Sequence, residues 1–540
     1  MPRRRSVAAG SDAPCYSREM PSSDRLACLL LVGLLSSCTV HIGPQPTPHG
    51  TASPTPPATI SLRLLEADDA QTLDPALIDD PTSMAVGREL FEGLTRLDAQ
   101  LRPGPGLASS WDITDAGRTY TFHLRTATYQ SGAQVQAQDA VTDWTRALDP
   151  RTASPLTAFF APLGARHAGE PLTGVEAVDP HTLRVHLAVP NSELLTLLAL
   201  PPFWLYDPKA TGPHFGDAVA SAGSGPYVLD RWDRGRSLSL HAWSGYWQAA
   251  PQVRSVGVDI VPDPAIRLQK FQDGAADIVH GLTGAQLLGW ASDPARLAAL
   301  HKVPTGLTAW LGFNTIAGQQ YGLAERQALA QAIDRGRLTD LALFGSWLGV
   351  PATDLLPPGI PGHVDRSLPG YDPATARRVL DAAAFPDTLD LYLSGGQTTG
   401  RVGRDLQDQL ASATGRTVTL HPIGDFSSQA SLDRLPFFID AWTADVPHPA
   451  DVLETVLRRN AQFNNLQLQD PQIEAALDQG LGAPTFDDGI RGYQAADGLA
   501  VDQVRVIPLY SGVEPYLVRS GLQVPFMGSV LPYRWEDIRA

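Results

Sequence analysis

The sequence predicts a mixed α/β protein built from more than one lobe. Short strand-like runs exchange repeatedly with stretches of helical periodicity from Ile60 onward, which is the pattern of packed α/β layers and not of a propeller or solenoid. A length of 540 residues exceeds one ordinary core, so two or three lobes are expected. An apolar content of 43% with 18% charged residues is that of a globular chain, neither disordered nor embedded in a membrane.

Taken in order, the first element is the apolar run "LACLLLVGLL" at residues 26–35. It is too short for a bilayer, which needs about 20 helical residues, and has the length of a signal-peptide core. It ends in Leu35-Ser36-Ser37-Cys38, which resembles a bacterial lipobox, where a cysteine after small residues becomes the lipidated N-terminus. A short buried helix with a stray cysteine is the competing reading. Residues 1–37 are therefore expected to be a signal peptide, with Met20 the expected initiator because it gives a more ordinary charged region. The proline-rich residues 38–59 form no packed core and are expected to be an extended tether from a lipid on Cys38. All three cysteines, Cys15, Cys28 and Cys38, lie in this N-terminal part. The body consequently has no disulfide, no thiolate nucleophile and no cysteine metal site.

In the body, "ATISLRLLEA" predicts a strand and "SMAVGRELFEGL" a helix with Met84, Val86, Leu90, Phe91 and Leu94 toward one side. "RTYTFHLR" alternates Tyr120, Phe122 and Leu124 with polar residues, as in a half-buried strand, and "AQDAVTDWTRAL" returns to helical spacing. Ser131-Gly132 is expected to turn the chain between them. "DTLDLYLSGGQTTGRVGRDLQDQLASATGRTVTLHPI" reads as strand, glycine turn, amphipathic helix and strand. Val402, Leu406 and Leu410 line one helical side there, with Thr398 or Thr399 available as the cap.

"LDPALIDDPTSMAVGRELFEGL", "SGPYVLDRWDRGRSLSLHAW", "LGFNT", "RQALAQAIDRGRL" with "LLPPGIPG", "DAWTADVPHP" and "VIPLY" occur in an order and spacing that resemble the family 5 extracytoplasmic solute-binding proteins of ABC importers. The resemblance covers almost the whole mature chain. It implies a periplasmic-binding-protein-like fold (type II, cluster C), a two-lobed flytrap with an accessory lobe. The implied lobes are residues 60–90, 206–308 and 506–540; an accessory lobe of 91–205; and an opposing lobe of 309–505. It also implies an extracytoplasmic, lipid-anchored and monomeric receptor that delivers short peptides to permease subunits served by a cytoplasmic ATPase. A nickel chelate, haem or an oligosaccharide are alternative ligands, and a regulatory or scaffold lipoprotein with the same fold is a further alternative.

By the same resemblance, Asp445 in Trp442-Thr443-Ala444-Asp445 pairs with a ligand α-ammonium while Trp442 walls the pocket, a charge-assisted contact that orients and strengthens binding. The alternative is that Asp445 only stabilises the turn into "VPHP". Asp79, Asp80 and Pro81 form a loop beside the ligand, with helix capping as the alternative role for the two acids. Phe159 offers an aromatic to the cleft or joins the core, and Asn314 meets ligand or fixes a crossing between lobes. His448 is the histidine to watch for metal or haem, against a solvated turn residue.

Other functions lack their residues. "LSGGQ" at Leu393–Gln397 resembles the signature loop of ABC ATPases, but none of the three lysines, Lys209, Lys270 and Lys302, follows a phosphate-loop glycine pattern. "AGSGPY" around Ser224 lacks the frame of a serine-hydrolase elbow. Neither H-E-x-x-H nor a helical i, i+4 histidine pair occurs among the 13 histidines, so no catalysis, cofactor or metal is expected. A formal charge of −16 disfavours nucleic acid and anionic membrane surfaces.

Overall fold

The computed structural model describes residues 59–211, 215, 219–394, 396–423, 435–528 and 531–540. Residues 1–37, expected to be a signal peptide and including Met20, lie outside the described residues, as do Cys38 and nearly all of the expected tether.

An 11-stranded sheet forms the spine of the unit Pro57–Ala540. Five of its strands position the site: β1 (Ile60–Glu66), β2 (Val253–Ile260), β3 (Leu300–Phe313), β4 (Phe437–Thr443) and β5 (Val506–Val518). β1 pairs in parallel with β2 on one side and with the short strand Ile278–Val279 on the other. β3 lies between β4 and β5, antiparallel to both. The 14-residue β3 and the 13-residue β5 pass from one hydrophobic core to another. Val303, Tyr516 and Val518 pack with β1 and β2, whereas Leu311, Phe313, Ile507 and Leu509 pack around the helix Gln397–Thr414. Their register slips between Pro304 and Thr308, where the passage from one core to the other takes place.

A separate four-stranded antiparallel sheet includes Thr119–Leu124 and is backed by the helix Ala137–Leu148. Tyr120, Phe122 and Leu124 are buried there and their neighbours half-buried, as the alternation predicts. This core, built around Trp144, Phe160 and Phe203, also receives Val446 from beyond β4. Gly132 turns the chain at φ +87°, with its amide donating to the Tyr129 carbonyl at 2.9 Å.

Helix α1 (Pro81–Leu90) starts two residues before "SMAVGREL", because Asp80 accepts the Ser83 amide at 2.9 Å and Pro81 occupies a position that needs no N–H. Phe91 already has extended backbone, so it and Leu94 reach the core from beyond the helix. The "LSGGQ" segment leaves the strand Thr388–Ser394 and enters the helix Gln397–Thr414, on which Val402, Leu406 and Leu410 are fully buried. Gly396, at φ +137°, caps that helix and no side chain does. The threonine expectation is corrected: Thr398 and Thr399 already lie within the first turn, and Thr398 Oγ1 accepts from Arg401.

Candidate ligand-binding site

A cavity of about 480 Å³ opens where β3 and β5 change register. That volume lies within the roughly 300–1,000 Å³ typical of small-ligand pockets. Its walls come from stretches far apart in sequence: the start of α1, the ends of β1 and β4, Thr305-Gly306 on β3, Glu514 and Tyr516 on β5, and the C-terminal segment Leu531–Trp535. Leu156 and Phe159 contribute from the side of the four-stranded sheet.

Asp79, Asp80, Pro81, Phe159, Thr443 and Asp445 all line this cavity. Asp80 has two roles, since one carboxylate oxygen caps α1 while the residue remains part of the wall. Phe159 is half-buried, packing on the adjacent core as it meets the cavity. Asp445 is exposed within the cleft, and the desolvation it does experience raises its pKa.

Trp442, Ala444 and Asn314 sit elsewhere. Side chains at the end of β4 alternate, so Thr443 and Asp445 face the cavity whereas Trp442 and Ala444 pack into the core beneath. The Trp442 ring lies 5.0 Å from Phe463, and its Nε1 donates to Asp451 at 3.0 Å. Asn314 is buried and accepts the Ile316 and Ala317 amides at 2.8 and 2.9 Å, closing the turn after β3.

Asp451 is a residue that sequence reasoning missed. It lies in the first turn of α2 (Pro449–Leu457), where a carboxylate suits the helix dipole. One of its oxygens accepts both from Trp442 Nε1 and, at 3.1 Å, from the Asp445 amide. Burial pushes its carboxyl up to about 6, against the lowering effect of the Trp442 hydrogen bond. Asp451 thereby holds the backbone that presents Asp445. Its position two residues after the Pro-His-Pro that opens α2 was the available signal.

His448 is the N-cap of α2, its Nδ1 accepting the Ala450 amide at 3.2 Å. It is fully buried against Phe486 and Tyr493, which corrects the solvated-turn reading: a cap must sit over the helix end, and that end is packed. Among the described residues no group of three or more His, Cys, Asp or Glu is placed to hold a metal ion, and no helix is long and apolar enough to cross a membrane. Ser224 is buried, donating to the Leu205 carbonyl at 2.6 Å and accepting the Glu92 amide, so its hydroxyl is occupied in structure.

Also missed was a carboxylate–imidazole–carboxylate row in the cavity wall. His280 Nε2 lies 2.9 Å from Glu66 Oε2, and its Nδ1 lies 3.5 Å from Glu514 Oε1. Its ring stacks on Tyr516 at 5.0 Å. Burial acts to lower the His280 pKa, but the two carboxylates outweigh it and hold the ring protonated, with a pKa of about 10.

The model of the bacterial extracellular solute-binding proteins, family 5, matches residues 102–464. The chain belongs to that family. Among curated members, the glutathione-binding protein GsiB of Salmonella paratyphi A is 26% identical over 454 residues, covering 81% of this chain and 86% of that protein. GsiB of Escherichia coli strain K12 is likewise 26% identical, over 455 residues. The fold is that of solved two-lobed members. The unliganded open form of the periplasmic murein tripeptide binding protein MppA superposes with a TM-score of 0.81 at 22% identity, covering 89% of this chain and 97% of that one. DppA of Helicobacter pylori, in complex with the peptide STSA, superposes with a TM-score of 0.63 at 18% identity, covering 89% and 98%.

Proposed function

We propose that this chain captures short peptides in the 480 Å³ cavity by hinge closure and delivers them to an ABC permease. The observation that carries the reading is Asp445: an acceptor-only carboxylate at the cavity, with its backbone held by Asp451, in a wall that also contains Asp79 and Asp80. A peptide's α-ammonium is the complementary group, and its main chain offers the hydrogen bonds that tolerate varied side chains. Two structural neighbours, the murein tripeptide binding protein MppA and a DppA in complex with the peptide STSA, support the same ligand class.

Closure would bring residues 309–505 toward the body formed by 60–90, 206–308 and 506–540, with 91–205 as the accessory lobe. β3 and β5 are the connections that would bend, and their register slip beside the cavity supports that placement. Thr443 and Asp445 would then meet the ligand from one side, and Asp79, Asp80 and Pro81 from the other. Native mass spectrometry with a library of di- to pentapeptides tests the reading. Retention of library peptides is expected, and retention of none overturns it.

A lipid on Cys38 would anchor the receptor at the extracytoplasmic face of the membrane as a monomer, with residues 38–59 as the tether. Cys38→Ser is expected to shift the protein from the membrane fraction to the soluble fraction, with intact mass showing loss of the acyl groups. Unchanged partitioning would sink the anchor.

A further inference from the structure

The cavity lining carries five carboxylates, Glu66, Asp79, Asp80, Asp445 and Glu514, against one guanidinium, Arg88, and one imidazole, His280. A single α-ammonium on Asp445 leaves most of this negative charge unmatched. With Arg88, whose Nε lies 3.5 Å from Glu89 Oε1, and His280 both counted as cations, the five lining carboxylates still leave a surplus of negative charge.

The Glu66–His280–Glu514 row concentrates the surplus. Each carboxylate directs one oxygen to His280, and the Glu514 oxygen also accepts the Gly281 amide at 2.8 Å. Both imidazole nitrogens face these acids, so the row has no donor left to offer an anion. The remaining oxygens, Glu66 Oε1 and Glu514 Oε2, have no protein donor among the described residues, and the Glu514 side chain is 34% exposed. Two carboxylates around one cation make a site with net negative charge, and Tyr516 and Tyr533 line the cavity beside it. Acceptor-only carboxylate oxygens are the chemistry that holds an ammonium or guanidinium.

We propose that Glu66 and Glu514, braced by His280, form a second cation subsite that selects short peptides carrying a basic side chain and disfavours acidic ones, glutathione included. This rests on the peptide reading above and narrows it. His280 acts by position: it holds the two acids 2.9 and 3.5 Å from one shared cation, so that both face the same space.

The test is calorimetry at pH 7 and low salt with three tripeptides that differ only in a central lysine, alanine or glutamate, together with glutathione. The lysine peptide is expected to bind about tenfold more tightly than the alanine peptide, one charge-assisted contact in a partly exposed site. The glutamate peptide and glutathione are expected to bind more weakly than the alanine peptide, and 0.5 M salt to compress the differences. In Glu514→Gln and Glu66→Gln, each checked for folding by circular dichroism, the lysine-to-alanine ratio is expected to fall toward one. Equal affinities in wild type, tighter glutathione, or a ratio unmoved in both variants overturns the subsite while leaving the peptide reading intact. Binding of no tripeptide overturns both.

Discussion

Replacing Asp445 with alanine is expected to lower peptide affinity by about 30- to 150-fold, the worth of roughly 2–3 kcal/mol for a hydrogen bond to a charged group. The fold should be unchanged, because the Asp445 carboxylate makes no hydrogen bond within the described residues and only its amide is used, by Asp451. The contact is isolated by repeating the titration with N-acetylated peptide. Acetylation should weaken binding to wild type by a similar factor and have little further effect on Asp445→Ala. If acetylated and free peptides bind wild type equally, the ammonium does not meet Asp445. Asp451→Asn offers a milder comparison, since it keeps an acceptor for Trp442 and the Asp445 amide while removing the negative charge behind them.

The second large effect concerns acid stability, and it centres on His448. Burial lowers its pKa to about 3, against about 6.5 in an unfolded chain. Between those values the unfolded state binds a proton that the folded state refuses, so stability rises with pH across the window. His448 therefore makes its full contribution above about pH 6.5 and loses it as pH falls toward 3, at about 1.4 kcal/mol per pH unit. Protonation would also remove the Nδ1 lone pair that accepts the Ala450 amide, uncapping α2 beside the site. His448→Asn keeps a good cap and cannot titrate. From pH 6.5 to 4 the variant should lose about 3 kcal/mol less stability than wild type in denaturant unfolding. Parallel acid slopes would show that His448 does not titrate in this window.

Some of this architecture was legible because its cause is local. The strand Thr119–Leu124 and the helix Ala137–Leu148 follow from alternation and helical spacing over a few residues, and tertiary packing merely buried the faces already marked. The "LSGGQ" letters were identifiable as a turn into a helix from the glycines and the Val402, Leu406 and Leu410 stripe. The same stretch marks where local reading stopped. Threonine offers a capping side chain that glycine lacks, yet with Gly396 as the cap, at φ +137°, the helix starts two residues too early for Thr398 and three too early for Thr399 to serve.

At the cavity, the "WTAD" and "IDDP" segments were found by their likeness to a family, and the structure brings Asp445, Thr443, Asp79, Asp80 and Pro81 to one wall system. Within "WTAD" the period of two at the strand end separates the residues, sending Trp442 and Ala444 inward, a distinction available from strand alternation alone.

Asp451 had a local signal, an acid in the first turn of a helix, but its task of holding both Trp442 and Asp445 depends on how α2 docks beneath β4. The row of Glu66, His280 and Glu514 had no signal of any kind. Glu66 and His280 are 214 residues apart, and Gly281 and Glu514 are 233 apart. Periodicity, capping and turn chemistry act over a handful of residues, so the chain carries their record in order. The charge of a cavity arises when strand ends distant in the chain are set side by side by sheet order, and that order follows from which hydrophobic faces pack together across the whole molecule.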